Sequence, residues 1–272
     1  MFSTSANLNL MINTVKKAGG AISRDFSEIE KLQISKKGVS DFVTNADFKS
    51  EKIIINELSR ARPQYSFLLE ESGEINNSDE KDDISYRWIV DPIDGTFNFM
   101  HGNPFFCISI GLEKRFGGNS EIIAGVVYAP IFNEIYFAEK GKGAFQIDYM
   151  GNQTRMRVSS RNCFNSALCA TCDIYGSENS THNKLIQKIL KQKGKLRVFG
   201  SAILDMVFVA CGKCEVFFQH SLKPWDVATG LILVREAGGI ITNYKNDTAS
   251  TLDSDLIVSN EALYSKIIKE VQ

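Results

Sequence analysis

The chain has 272 residues, 43% of them apolar and 23% charged, and its 31 basic and 32 acidic side chains leave a formal charge of −1. That composition suffices for a sizeable core and excludes an intrinsically disordered chain, which carries fewer apolar residues and a larger charge imbalance. Near-neutrality also argues against a dedicated nucleic-acid binder, because coating phosphate requires a basic excess.

At roughly 150 residues per domain, the length fits one large domain or two fused lobes. The opening segment MFSTSANLNLMINTVKKAGG has no basic leader and its apolar run is interrupted. It reads as an amphipathic helix, with Leu8, Met11, Val15, Ala18 and Ile22 at spacings of three and four. No run approaches the roughly 18 uninterrupted apolar residues of a membrane span. The expected setting is a reducing cytoplasm.

A short polar segment leads to a second helix, Asn45 to Ala61, which Pro63 helps to close. Strand-like runs follow: YSFLLEE, RWIVDPI, FFCISIGL, EIIAGVVYAPI and EIYFAEKGKGAFQ. The acidic linker INNSDEKDD (75–83) between the first two reads as a loop. Successive strands predict an antiparallel sheet flanked by the two N-terminal helices, an α+β lobe over 1–150. Beyond residue 150 strands alternate with helices: SALCATCDI, a helix near 181–192, KLRVFG, a helix from about 202, EVFFQH and a helix from about 226. That alternation predicts a smaller α/β lobe over 151–272, and the whole is a layered α/β protein.

Six cysteines include two C-x-x-C pairs, Cys169/Cys172 and Cys211/Cys214, whose spacing superficially suits zinc. The first pair lies in a strand-like run, where positions three apart point to opposite faces. Cys211 continues the apolar stripe Leu204, Val207, Phe208. Small buried hydrophobes are the simpler reading of these thiols.

The segment WIVDPIDGTFNF (88–99) is the most informative. A hydrophobic strand runs directly into Asp91 and Asp94, two carboxylates whose mutual repulsion a divalent cation would relieve. Pro92 restricts the backbone between them, and Gly95 and Thr96 offer backbone N–H groups suited to a phosphate oxygen. A plain turn after a strand explains much of the same motif. Glu70 and Glu71 end another strand, Asp226 opens an apolar helix after Pro224-Trp225, and Asp41 and Asp47 sit in SDFVTNAD. Each has an ordinary reading as a loop, cap or first-turn acid. Their recurrence at strand ends and helix starts favours an all-oxygen site for Mg²⁺ or Mn²⁺. His101, His182 and His220 show no ligand spacing in the sequence, and His101 and His220 read as surface or pocket groups.

Together SDFVTNAD (40–47), LEESG (69–73), WIVDPIDGTFNF (88–99), FGSAILD (199–205) and KPWDVATGLILVREAGG (223–239) resemble the inositol monophosphatase family of Mg²⁺-dependent, lithium-sensitive phosphatases, most closely its bacterial branch. The resemblance implies a layered αβαβα sugar-phosphatase fold and two or three Mg²⁺ ions, with Mn²⁺ as a substitute. Glu70, Asp91 and the carbonyl of Ile93 would hold one metal, and Asp91, Asp94 and Asp226 a second. Glu70 and Thr96 would position and activate water, with Asp47 hydrogen-bonded to Thr96. Phosphate would rest on Gly95 and Thr96, while Gly200, Ser201, Ala202 and Gln219 would border the polyol. Lys36 or Lys37 would lie on a loop near the site. Two departures stand out: Phe97 replaces a second threonine, and Gln219 replaces a glutamate that contacts an inositol hydroxyl in animal members.

The implied activity is hydrolysis of a myo-inositol monophosphate by a homodimer, with a small phosphorylated polyol as substrate and neither membrane nor nucleic acid as partner. Alternatives are the same chemistry on fructose 1,6-bisphosphate, a nucleotide 3′-phosphate or histidinol phosphate. A further alternative is a regulatory binding protein, acting on transcription machinery, that retains the fold.

Overall fold

The computed structural model describes residues 4–28, 34–37, 41–77, 83–174 and 180–271. Its helices and strands alternate in layers. The first helix, α1 (Ala6–Phe26), is capped by Ser5, whose hydroxyl accepts from the Leu8 N–H at 3.1 Å. Leu8, Met11, Val15, Ala18 and Ile22 are all buried, as their spacing predicts. A hairpin of β1 (Ile34–Lys37) and β2 (Asp41–Thr44) then precedes α2 (Asn45–Ala61). Only the backbone of β1 and β2 is described, so the expected roles of the Lys36, Lys37 and Asp41 side chains lie outside the described residues. Most of the acidic linker, 78–82, lies outside them as well.

The central layer is an eight-stranded sheet. It comprises β3 (Ser66–Leu69), β4 (Gly73–Ile75), β5 (Ile84–Asp94), β6 (Cys107–Phe116), β7 (Asn119–Ala129), β8 (Glu134–Glu139), β9 (Gly143–Ile147) and β10 (Gln153–Arg155). Their spatial order is β10-β9-β8-β7-β6-β5-β3-β4, antiparallel except where β3 runs parallel to β5. The run EIYFAEKGKGAFQ, read as one strand, folds as the β8–β9 hairpin, because EKGKG supplies the turn. The short strands β4 and β10 were missed, being only three residues each with exposed positions that carry no alternation.

A second sheet of five strands contains β11 (Leu168–Thr171), β12 (Lys195–Val198), β13 (Val216–Gln219), β14 (Ile240–Thr242) and β15 (Leu256–Ser259), in the order β12-β11-β13-β15-β14. β11 is parallel to both β12 and β13, whereas β15 is antiparallel to its neighbours. Between the sheets lie α5 (Ala202–Ala210) and α6 (Pro224–Glu236), and α4 (Thr181–Lys191) and α7 (Glu261–Val271) cover the outer face.

Three cores correspond to these layers. Trp88, Phe67, Phe99 and Phe106 fill the space under α1 and α2. Met206, Val207, Leu231 and Phe217 fill the space between the sheets. Leu185, Ile189, Phe218 and Leu263 fill the outermost layer. The mixed α/β, layered αβαβα arrangement is therefore present. Close packing sets α6 on the large sheet: a Cβ at Gly125 would come within 2.8 Å of Ile232 Cγ2, so glycine lets the helix approach the strand. That approach carries the start of α6, with Asp226, to the end of β5. Among the described residues no helix is long and apolar enough to cross a membrane.

Candidate active site

Register alone brings Glu70 beside Asp91. In the parallel β3–β5 pair, Leu69 faces Val90, so Glu70, just past the end of β3, comes beside Asp91 within β5. Asp94 joins them through an irregularity. Residues three apart on a regular strand point to opposite faces, but the β5–β6 register shifts between Asp91 and Asp94, which pair with Ser109 and Cys107. This bulge at Pro92-Ile93 turns both carboxylates to one side. Ser50 on α2 fixes it by donating to the Pro92 carbonyl at 3.0 Å. Asp226 completes the group from the first turn of α6, one of its oxygens accepting the Lys223 N–H at 2.7 Å. Carboxylate oxygens of Asp91, Asp94 and Asp226 all lie within 4.8 Å of one another.

The electrostatic consequence is large. Burial, followed by the charges of Asp226, Asp47 and Glu71, pushes the Glu70 carboxyl up to about 9. Burial and Asp94 raise Asp226 to about 7. Asp91 is driven well above its usual range by burial, Glu70 and Asp94. Asp94 is also raised by burial, although hydrogen bonds from Ser201, Ile203 and Ala202 oppose the shift. Without a counter-charge, ionising these acids together is costly.

The other expected site residues fall into three groups. Glu70, Asp91, Ile93, Asp94, Gly95, Thr96, Asp226 and Gly200 come together. Gly95 has φ +91°, and a Cβ there would lie 3.0 Å from the Phe105 carbonyl and 3.3 Å from that of Gly200. An alanine at Gly95 is therefore expected to destabilise the protein by roughly 1–3 kcal/mol, through the left-handed backbone and the close oxygens together. A thermal melt compared with wild type checks this. Thr96 starts α3 (Thr96–Met100), and its hydroxyl donates to the Ile93 carbonyl at 3.0 Å, where Asp47 was the expected partner. The left-handed turn at Gly95 folds the threonine back over that carbonyl. Asp47 is buried in the first turn of α2, close enough to raise the Glu70 pKa.

The second group, Ser201 and Ala202, serves Asp94. Ser201 caps α5 and its hydroxyl donates to Asp94 Oδ2, which also accepts the Ile203 N–H at 2.8 Å. Both are buried, so they position a carboxylate at a helix N-terminus. Gln219 stands apart. It is buried at the end of β13, where its oxygen accepts from the Thr171 hydroxyl (2.8 Å) and the Cys172 N–H (2.9 Å) and its nitrogen donates to Asp173 Oδ2 (2.8 Å). Phe97 is 59% exposed and packs on His101, with ring centroids 4.5 Å apart.

Several supporting residues were not legible beforehand. Glu51, one turn after Asp47 on the same face of α2, accepts the Glu71 N–H at 3.0 Å and the Ser72 hydroxyl, tethering the loop that carries Glu70. Its signal was a polar i, i+3, i+4 stripe (Asp47, Ser50, Glu51) on a face that should be apolar. Glu51→Gln is expected to lower kcat about tenfold with little change in secondary structure, the size of effect typical when a group orienting a ligand loses an acceptor. Steady-state kinetics with far-UV circular dichroism checks it. Asn98 ties α3 to the Phe105 and Phe199 carbonyls at 2.8 and 2.7 Å. Asp205 is fully buried in α5, and burial and the Asp94 charge push its pKa well above the usual carboxylate range, with the Cys172 sulfur 3.9 Å away. The C-x-x-C thiols have separate partners, Cys211 near Gln146 and Cys214 near the Leu168 carbonyl.

Residues 5–272 match the inositol monophosphatase family. The chain belongs to that family. It is 40% identical to an inositol-1-monophosphatase of Rhizobium meliloti, over 98% of this chain and 96% of that one. It is also 32% identical to the Nus factor SuhB of Escherichia coli K12, over 97% of this chain and 95% of the other. A crystal structure of the extragenic suppressor protein suhB from Bartonella henselae superposes with a TM-score of 0.88 at 40% identity, covering 98% and 99% of the two chains. Membership makes the protein a phosphatase of a metal-dependent family. Its residues fit such a metal. Glu70 Oε2 and Asp91 Oδ1 are buried with no hydrogen-bond partner, and the ligand set is all oxygen, which suits a hard divalent cation.

Proposed function

We propose that the protein hydrolyses myo-inositol monophosphates to myo-inositol and phosphate, with Mg²⁺ held by Glu70, Asp91, Asp94, Asp226 and the Ile93 carbonyl, two or three ions in all. The observation that carries this reading is the convergence of Asp91, Asp94 and Asp226 within 4.8 Å beside Glu70. When bound, the cations neutralise phosphate charge, acidify water and stabilise the leaving alkoxide.

The protein's own groups do the rest. Gly95 and Thr96 present backbone N–H groups to a phosphate oxygen at the start of α3. The Thr96 hydroxyl spends its hydrogen on Ile93, so its lone pairs accept a hydrogen from the attacking water and orient it. Glu70, once ionised, takes the other proton. The water oxygen then bonds to phosphorus as the ester P–O bond breaks, the departing inositol oxygen takes up a proton from solvent water, and Glu70 returns its proton to solvent. No side chain becomes phosphorylated.

The test is phosphate release from a panel containing myo-inositol 1-phosphate, fructose 1,6-bisphosphate, a nucleotide 3′-phosphate and histidinol phosphate, ranked by kcat/KM, with Mg²⁺, with EDTA and with Li⁺. Highest activity on the inositol ester, lost in EDTA and inhibited by Li⁺, supports the reading. Metal-independent turnover, or a preference for another ester, refutes it. A homodimer belongs to the same reading. Asn133 donates to the Tyr149 carbonyl at 3.4 Å, grouping exposed Ile131, Phe132, Tyr149 and Met150 into an apolar surface that a second copy would cover. Sedimentation velocity tests this, and a monomer at micromolar concentration overturns it.

A second reading, a regulatory binding protein that keeps the fold, is favoured by the relative named Nus factor SuhB. Retention of partners by a catalytically dead Asp94→Asn protein in a pull-down separates the two roles.

A further inference from the structure

We propose that Asp173, His182 and His220 form a Zn²⁺ site, chemically distinct from the carboxylate site and independent of the phosphatase reading. The sequence conceals it, because these residues show no ligand spacing. The second sheet assembles it. β11 and β13 are parallel, with Ala170 opposite Phe217, so three residues further along, Asp173 comes opposite His220. His182, in the first turn of α4, then packs over the ends of both strands, its ring 4.6 Å from that of His220 and perpendicular to it. One nitrogen of each imidazole and one carboxylate oxygen of Asp173 lie within 4.8 Å of one another.

The outer atom of each candidate ligand is already held, the arrangement that orients metal ligands. His182 Nδ1 lies 3.0 Å from the Tyr244 hydroxyl, His220 Nδ1 lies 2.9 Å from the Ser221 hydroxyl, and Asp173 Oδ2 accepts from Gln219 at 2.8 Å. The inner atoms are therefore His182 Nε2, His220 Nε2 and Asp173 Oδ1. His220 Nε2 and Asp173 Oδ1 are 3.6 Å apart, close to the roughly 3.4 Å expected between ligands of a tetrahedral zinc with bonds of about 2.0–2.1 Å.

Two imidazoles and a carboxylate favour zinc over magnesium, and three protein ligands leave a fourth position for water. Burial lowers the His182 pKa, which keeps the imidazole neutral as a ligand must be. On binding, its proton resides on Nδ1, donated to Tyr244, and Nε2 exchanges its 3.1 Å contact with the Asp173 carbonyl for the metal.

The experiment titrates the full-length protein with Zn²⁺ against a chromogenic chelator in excess Mg²⁺, which occupies the carboxylate site. One tight equivalent is expected. His220→Ala and Asp173→Asn should each weaken it by roughly 100-fold or more, and Tyr244→Phe by about tenfold, whereas Asp94→Asn should leave it intact. His220 and Asp173 are both partly exposed, and a melting curve verifies that each variant is folded. Co²⁺ in place of Zn²⁺ should show d–d bands without thiolate charge transfer. Absence of the tight equivalent, an unchanged affinity in folded His220→Ala, loss of zinc in Asp94→Asn, or a thiolate band assigning the metal to the cysteines would each overturn the proposal.

Discussion

Asp94→Asn is expected to lower kcat/KM by roughly 1000-fold or more while making the metal-free protein more stable. The two effects have opposite signs for one physical reason. The asparagine oxygen still accepts from Ser201 and the Ile203 N–H, so the contacts that seat the side chain on α5 survive. What disappears is one negative charge from a buried group in which Asp94 raises both Asp91 and Asp226. Without metal that charge is a liability, and each kcal/mol recovered raises the melting temperature by about 2–4 °C. With substrate bound, the same charge would help to hold the divalent cations that neutralise the transferring phosphoryl group, and losing such an electrostatic contact costs roughly 100- to 1000-fold or more. Melting with and without Mg²⁺, beside kcat/KM, checks both signs. A variant that melts lower without metal, or retains most activity, would sink the assignment.

Raising the pH from about 4 to about 9 is expected to destabilise the metal-free protein, and divalent cations are expected to restore stability most strongly at the alkaline end. Well below pH 3.8, Glu70 and Asp226 are protonated both folded and unfolded, so they impose no penalty. As pH rises, the unfolded carboxyls ionise near 4.5 and 3.8, while the folded ones keep their protons until about 9 and about 7. The unfolded chain then binds fewer protons than the native one, and stability falls with pH. For Asp226 the loss is on the order of 4 kcal/mol, complete by about pH 7, and the Glu70 contribution continues to about pH 9. A cation displaces those protons, so its apparent affinity climbs over the same window. Urea unfolding at pH 5, 7 and 9, with and without Mg²⁺, measures it. Equal Mg²⁺ stabilisation at pH 5 and 9 would contradict this electrostatic account.

Much of the fold was readable because burial imposes periodicity. Leu8 to Ile22 and the helix Asn45–Ala61 follow the 3.6-residue repeat, and both helices lie where that repeat places them. The strands β5, β6 and β7 are long and have buried interiors, which makes them apolar runs. The elements that escaped are short or lie late in the chain. β4 and β10 have three residues each, and β14, β15 and α7 were not resolved from the sequence beyond residue 239. Among site residues, Glu70, Asp91, Asp94 and Asp226 were visible because acids at strand ends and helix starts are conspicuous against apolar neighbours. Glu51, Asn98 and Asp205 were not, since each acts through a partner far away in the chain. The Asp47–Thr96 bond was expected from resemblance, yet the Gly95 turn directs Thr96 to Ile93.

By itself the sequence determined the secondary-structure alternation, the family and the acidic residues that converge, because all three are written in local patterns of polarity and in contiguous motifs. The tertiary structure alone decided which carboxylates share one space and which helpers hold them. Parallel register set Glu70 against Asp91, a bulge rotated Asp94 onto their side, and the packing of α6 brought Asp226 across. The parallel ends of β11 and β13 likewise joined Asp173 to His220. Proximity between distant residues depends on register and layer spacing, and these are fixed only when the cores close.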